Sequence, residues 1–363
     1  MPSLPVKVLL VEDSPIARDV LRRLFASAPQ IELVGVASSG REALSLIPQV
    51  DPEVVCTDYY MKGMDGLELA RQIMALYPRP ILAISVAVGS EDTQIVGQLL
   101  QAGVLDVFPK PAAGLPSDYE KVKASLIAKI ETLAGVKVFT RPLKTAAQRL
   151  ADALPLRVPL SPSRALKLSS VSAHRISAIA VGASTGGPQA THAILSQLPS
   201  TWPTPIFCTQ HISEGFLTGL TSWMNDQCDI RVKIAEPGEL ALPGTAYYAP
   251  DNFHLEIEPS GRLKLADAPP IDRHRPSITA MFQSVALKYG RSACGILLTG
   301  MGRDGADGMK AIASAGGLTI AQDEDTSVVF GMPKEAIALG AIQNVLPITD
   351  VAPCLLDTVA VSP

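Results

Sequence analysis

The 363-residue sequence carries no excess of positive charge: 31 Lys and Arg stand against 35 Asp and Glu, for a net charge of -4. That balance argues against a nucleic-acid-binding domain, whose footprint is a basic patch. Cysteine is scarce. The five present (Cys56, Cys208, Cys228, Cys294, Cys354) are scattered, odd in number and without metal-ligand spacing. They read as reduced thiols in a reducing compartment. No apolar run approaches the ~20 residues of a membrane span. The stretch Met1 to Asp13 lacks a basic start and a cleavage site, and its apolar run ends in Glu12-Asp13, so it reads as a first strand and not a signal peptide. These absences predict a soluble, cytoplasmic protein with no nucleic-acid partner and no membrane insertion. Against them, 47% hydrophobic and 18% charged residues are ordinary for a chain that buries sizeable cores. At ~100–200 residues per domain the length accommodates two or three domains.

Residues 1–134 read as five strand-then-helix repeats. Short apolar runs at Lys7–Val11, Glu32–Ala37, Glu53–Thr57, Pro80–Ser85 and Asp106–Pro109 alternate with helical spacing, as in Ile16–Phe25 and Gly66–Tyr77. Such alternation implies parallel pairing with right-handed crossovers. Residues 135–175 change character: Arg157–Ser172 is rich in Ser and Pro and poor in periodicity, which fits a linker, with a short helix over Lys144–Leu154. Over 176–363 the alternation resumes, with apolar runs Ile176–Val181, Pro205–Thr209, Ile230–Ala235, Ala293–Thr299 and Leu318–Ala321. A strand-rich stretch, Thr245–Leu265, reads as a β-rich insert. The predicted fold class is α/β, with two doubly wound parallel-sheet domains, the second Rossmann-like.

Ligands of an open parallel sheet collect at the carboxyl ends of its strands. In the first domain those ends carry Glu12-Asp13, Asp58, Ser85 and Lys110-Pro111. Three carboxylates on one edge repel one another unless a cation sits among them, and oxygen-only ligands suit Mg²⁺. A lysine can neutralise a phosphoryl group, and a serine hydroxyl can bond one of its oxygens. The set supports phosphoryl transfer onto a carboxylate. The plainer reading is that polar residues merely flank the strands.

These residues (Val11-Glu12-Asp13, Asp58, Met61, Met64-Asp65-Gly66, Ser85, Lys110-Pro111) make residues 5–125 resemble a two-component receiver domain, which is flavodoxin-like. The resemblance implies Asp58 as phosphoacceptor, with Glu12, Asp13 and Asp58 holding Mg²⁺. It implies Ser85 as the switch hydroxyl and Lys110 as the phosphoryl contact. Lys62 stands where the family usually has proline and adds positive charge near the pocket. Val107 stands where an aromatic switch residue is common.

In the second domain the first strand runs into Gly182-Ala183-Ser184-Thr185-Gly186-Gly187-Pro188, a G-x-S-x-G at a strand-to-helix turn. That geometry exposes a serine hydroxyl and aims backbone N–H groups at developing negative charge. A phosphate-cradling loop or a plain tight turn would look similar. Partners argue for a nucleophile. Gln210-His211 follows the next run, and Gly300-Met301-Gly302-Arg303-Asp304 follows Ala293–Thr299. Serine, histidine and aspartate thus share one sheet edge, where a base can take the serine proton and a carboxylate can orient the imidazole. The order Ser, His, Asp differs from that of α/β-hydrolases. His174, His192, His254 and His274 are less suited as the base, since none ends a strongly apolar strand. Asp251, Asp307 and Asp323 are rivals to Asp304.

Six blocks, in order, make residues 176–350 resemble the chemotaxis protein-glutamate methylesterase (CheB) family: Gly182–Gly187, Thr209–His211, Pro237–Gly244 with Tyr248-Ala249-Pro250, His274-Arg275-Pro276-Ser277, Leu298–Gly305 and Phe330-Gly331-Met332-Pro333. The resemblance implies Ser184 as nucleophile, His211 as general base and Asp304 as orienting acid. It places Thr185 and Gln210 beside the site and the backbone around Met301 in oxyanion stabilisation. It implies glutamate methyl esters on chemotaxis receptors as substrate, receptor glutamines as secondary substrates, and no cofactor for hydrolysis. A chemotaxis histidine kinase would be the phosphodonor, and phosphorylation would relieve inhibition by the receiver. The alternatives are a DNA-binding response regulator, a nucleotide-binding output domain and a hydrolase with another substrate. The second lacks G-x-x-x-x-G-K-[ST].

Overall fold

The structure, a computed structural model, describes residues 4–85, 93–111, 116–136, 138 and 175–360. The expected helix at Lys144–Leu154, most of the expected linker and His174 lie outside the described residues. The chain divides into two compact units, an N-terminal one and a C-terminal one.

Runs of Val, Leu and Ile too short for helices form the strands of the N-terminal unit: β1 (Val6–Val11), β2 (Ile31–Ala37), β3 (Val54–Thr57), β4 (Ile81–Ser85) and β5 (Asp106–Pro109). Amphipathic stretches between them form α1 (Pro15–Ala26), α2 (Gly40–Val50), α3 (Gly66–Leu76) and α4 (Thr93–Ala102), with α5 (Pro116–Ala134) after the last strand. All strand pairs are parallel, in the order β2-β1-β3-β4-β5. The unit is therefore flavodoxin-like. Chain direction reverses between β1 and β3, so a crevice opens where both end. Helix starts are written into the loops that border it. Ser14 caps α1 by accepting from the amide of Ala17, and Pro15 supplies the first helical residue. Asp65 caps α3 by accepting from the amide of Glu68 at 2.7 Å. Gly66 follows because a Cβ there would stand 2.2 Å from the carbonyl oxygen of Asp58.

The C-terminal unit repeats the logic on a larger sheet. Its first four strands are β6 (Ala178–Ala183), β7 (Ile206–Gln210), β8 (Arg231–Ile234) and β9 (Thr245–Tyr248). After the hairpin β10 (His254–Ile257) and β11 (Leu263–Ala266) come β12 (Ala293–Leu297), β13 (Leu318–Gln322) and β14 (Asn344–Leu346). The seven-stranded sheet runs β14-β13-β12-β6-β7-β9-β8, all parallel. The helices are α6 (Gly187–Leu195), α7 (Leu217–Gln227), α8 (Ile278–Tyr289), α9 (Ala306–Ser314), α10 (Met332–Ala338) and α11 (Ile348–Ala360). β6, β7 and β12 are buried along their whole length, which is why they read as unbroken apolar runs. From β6 the chain moves outward to β7 and later returns to β12 on the opposite side. The switch point is thus the carboxyl end of β6.

The expected insert is smaller than its sequence suggested. β9 joins the main sheet between β7 and β8, and only β10 and β11 leave it, as an antiparallel hairpin. Thr-Ala-Tyr-Tyr does not read as a core strand, yet all four residues are buried. The hairpin seats Leu255, Ile257 and Leu263 in one apolar cluster with Met281, Phe282 and Val285 of α8. Among the described residues no helix is long and apolar enough to cross a membrane.

Candidate functional site

The crevice of the N-terminal unit gathers the predicted acidic set. Glu12 and Asp58 are buried, and ligand oxygens of Glu12, Asp13 and Asp58 all lie within 4.8 Å of one another. Lys110 Nζ stands 2.7 Å from Asp58 Oδ2 and 2.9 Å from Glu12 Oε2. Burial raises the carboxyl pKa of both Glu12 and Asp58, against the lowering effect of Lys110. Lys110 itself is lifted: burial alone would lower it, but its bonds to the two carboxylates outweigh that cost. Asp13 Oδ2 accepts from the backbone amide of Lys62 at 3.1 Å. Ser85 ends β4, and its buried hydroxyl has no hydrogen-bond partner among the described residues; neither does Asp58 Oδ1. An orphaned buried carboxylate oxygen beside two further carboxylates fits a hard divalent cation. Val107 is buried on β5.

The second site forms at the switch point beside β6. Ala183 pairs with Gln210, so the next residues, Ser184 and His211, leave neighbouring strands side by side. The His211 amide donates to the Ala183 carbonyl at 2.9 Å, and the Ser184 amide donates to Thr299 at 3.0 Å. The chain turns sharply at Gly186, whose φ of 76° is left-handed, and α6 begins at Gly187 without a side-chain cap. Ser184 is partly exposed while Thr185, Gly186 and Gly187 are buried, so the turn offers the hydroxyl and hides its supports. The positive end of α6 faces the same place.

Asp304 lies just before α9 and is 1% exposed. Its Oδ2 accepts from His211 Nε2 at 2.9 Å and from the amide of Ile278 at 2.8 Å. Its Oδ1 accepts from Ser277 Oγ at 2.8 Å and from the amide of Thr279 at 3.0 Å. Burial alone would raise its pKa. The bond from His211 and the amides at the start of α8 hold it well below the usual carboxylate range. With Nε2 engaged by Asp304, the nitrogen left to His211 is Nδ1, which is buried and has no hydrogen-bond partner among the described residues. The Ser184 hydroxyl bond to the ring is therefore open here.

Gln210 is buried and spends its amide on the backbone. Nε2 donates to the carbonyls of Ser184 at 2.7 Å and His211 at 2.9 Å, fixing both residues at once. Gly300 packs against the serine, since a Cβ there would lie 2.6 Å from Ser184 Cβ. Met301, the next residue, is exposed. The other described histidines have distinct settings. His192 stacks on Trp223 at 4.8 Å. His254 accepts through Nδ1 from the Ser277 amide at 3.1 Å and has Nε2 3.1 Å from the Pro269 carbonyl. His274 stacks on His211. Among the rival acids, Asp307 pairs with Arg303 and Asp323 bonds Thr326. Sequence reasoning named Ser277 only within a block of the resemblance, without a role, and missed Thr279. A serine followed by an amphipathic run at Ile278–Tyr289 signals a helix cap, but nothing local shows that Asp304 seats on it.

A flavodoxin-like unit with a lysine-bridged carboxylate pocket, joined to an α/β unit with serine and a His-Asp pair at its switch point, defines a receiver-linked hydrolase architecture. Residues 8–115 match the response regulator receiver domain, and residues 179–355 match the family described as CheB methylesterase. The chain is 39% identical over 354 residues to a protein-glutamate methylesterase/protein-glutamine glutaminase of Anaeromyxobacter dehalogenans, covering 97% of each. It is 40% identical over 359 residues to a namesake from Nitrosospira multiformis, covering 98% of this chain and 97% of that one. The crystal structure of the Thermotoga maritima CheB methylesterase catalytic domain is 35% identical, with a TM-score of 0.49, and covers 50% of this chain and 97% of that chain. This chain belongs to the CheB protein-glutamate methylesterase family.

Proposed function

We propose that this chain hydrolyses glutamate methyl esters on chemotaxis receptors, and deamidates certain receptor glutamines, under control of its receiver unit. One observation supports the reading: Asp304 accepts from His211 Nε2, which leaves Nδ1 as the ring nitrogen for Ser184, and the two residues follow paired positions on neighbouring strands. The tautomer follows. Nε2 carries the hydrogen donated to Asp304, and Nδ1 carries the lone pair. In the familiar arrangement the two nitrogens are used the other way round.

The reaction requires the Ser184 hydroxyl to bond Nδ1. Ser184 Oγ adds to the ester carbonyl while its proton passes to Nδ1, and Asp304 stabilises the imidazolium. The backbone around Met301 bonds the oxyanion, with Thr185 and Gln210 beside the site. The tetrahedral adduct breaks its bond to methoxide, which takes the proton from Nδ1 and leaves as methanol. Water then adds to the acyl-enzyme, giving a proton to Nδ1 and later releasing glutamate and Ser184. With glutamine, ammonia leaves in place of methanol. No cofactor takes part in hydrolysis.

In the receiver unit, Asp58 accepts the phosphoryl group from a chemotaxis histidine kinase. Glu12, Asp13 and Asp58 would hold Mg²⁺, which offsets negative charge on the transferring phosphoryl group. Lys110 and the unpartnered Ser85 hydroxyl bond phosphoryl oxygens. The receiver restrains hydrolysis until Asp58 is modified. The direct test measures methanol release from a methylated receptor fragment. Ser184→Ala should lower it by at least about 10³-fold with the circular dichroism spectrum intact, and a variant that keeps its activity removes Ser184 from the mechanism.

A further inference from the structure

A carboxylate that bonds one ring nitrogen fixes a single point of an imidazole. The ring can still swing about that bond and carry its other nitrogen away from the nucleophile. His211 has a second restraint on its face. The His274 ring lies parallel to it, with centroids 3.9 Å apart and planes 9° from parallel. His274 is held there by a tight turn. Its amide donates to the Ile271 carbonyl at 2.8 Å, and the Ile271 amide donates back at 3.1 Å. The two residues inside the turn, Asp272 and Arg273, have φ of 47° and 69°. Both are left-handed and neither is glycine, a conformation that persists only where the surroundings impose it. Asp272 also stands 3.6 Å from Arg303, beside Asp304 in sequence, which ties the turn to the loop that orients the base.

From this geometry we propose that His274 is a positioning residue for the hydrolysis: its ring clamps the face of His211 and limits the swing of Nδ1, which the proposed mechanism needs within reach of Ser184. The inference rests on the assignment of His211 as base. The groups facing His274 are His211 on one face, Asp304 beyond it and Arg273 in its own turn. Burial, with the neighbouring His211 and Arg273, pulls its pKa down from 6.5 to about 4, against the opposite pull of Asp304. Near neutral pH the clamp is therefore an uncharged aromatic plane. An uncharged plane tolerates the imidazolium formed when Ser184 loses its proton, and its π-face attracts that cation. A protonated ring would repel it.

The test compares His274→Ala, His274→Phe and His274→Gln in the full chain, with Ser184→Ala and His211→Ala as references. Methanol release from a methylated receptor fragment is followed across pH. The alanine variant should lose roughly 10- to 100-fold in kcat with KM nearly unchanged, as small misplacements of a reacting group do. Phenylalanine, which keeps the plane and has no nitrogen, should recover most of the loss and follow the parent pH profile above about pH 5. Glutamine should not recover it. A fully active alanine variant overturns the proposal, as does a phenylalanine variant no better than glutamine, because the ring would then act through its nitrogens. If His211→Ala stays active, the assignment of the base fails first, and the clamp fails with it.

Discussion

A carboxylate sunk to 1% exposure ordinarily resists ionisation, yet Asp304 is pulled the other way by its four donors. Two of them are amides at the start of α8, where the helix dipole adds to their effect. The sign of the pH dependence follows. A carboxyl with a lowered folded pKa stabilises the fold above its ordinary value of 3.8, and that contribution fades as pH falls below it, because the unfolded chain takes up the proton first. Asp304→Asn replaces an acceptor-only group with one that carries two donors of its own, facing the amides of Ile278 and Thr279. The variant should lose ~3 kcal/mol of stability at neutral pH, and its stability should change less than the parent's between pH 4 and pH 2. Turnover should fall on the order of 10⁴-fold, because the ring loses the partner that sets its tautomer. Urea melts at several pH values and methanol release check the two effects separately.

At the scale of elements, the site is a product of strand ends and helix starts pressed close enough to exclude side chains. The loop after β12 passes Ser184 so tightly that a methyl at Gly300 would meet Ser184 Cβ at 2.6 Å and Met332 Sδ at 2.4 Å. Met332 has a flexible side chain and can yield, but Ser184 is fixed by its own backbone bonds. Gly300→Ala should therefore cost activity out of proportion to stability: about 1–3 kcal/mol in unfolding but at least ~100-fold in kcat. Equal wild-type and variant rates would show that the loop moves aside freely. The same elements mark what could be read in advance. Apolar runs with polar ends located Glu12, Asp58, Lys110, Ser184 and His211 at strand termini, because a buried parallel strand is locally hydrophobic and its end is not. Strand order is a different kind of fact. β9 slips between β7 and β8 by pairing across distant sequence, and its Thr-Ala-Tyr-Tyr carries no local mark of that. The Asp304 seat on α8 and the His274 stack are likewise tertiary, each joining residues about 25 to 60 positions apart, with no periodic signal to reveal them. β14, only three residues long, fell below what an apolar run can show.

For the whole molecule, the two units carry opposite electrostatic designs, and that difference makes regulation testable by pH. Asp304 is held ionised far into the acid range, whereas burial raises Asp58 and Glu12 above ordinary carboxyls. A raised pKa means that Asp58, the proposed phosphoacceptor, loses its carboxylate charge earlier on acidification, and that a bound divalent cation, by repelling the proton, would keep it available to lower pH. Adding a small-molecule phosphodonor with Mg²⁺ to the full chain should raise methanol release several-fold, on the scale of a coupling of ~1–3 kcal/mol. Asp58→Asn should abolish that stimulation and leave basal turnover in place. Stimulation in the parent should also weaken on acidification sooner when Mg²⁺ is scarce, since proton and cation compete for the same oxygens. If residues 176–363 alone were no faster than the unmodified full chain, the receiver would not be a restraint. Stimulation surviving in Asp58→Asn would place the phosphoryl group elsewhere.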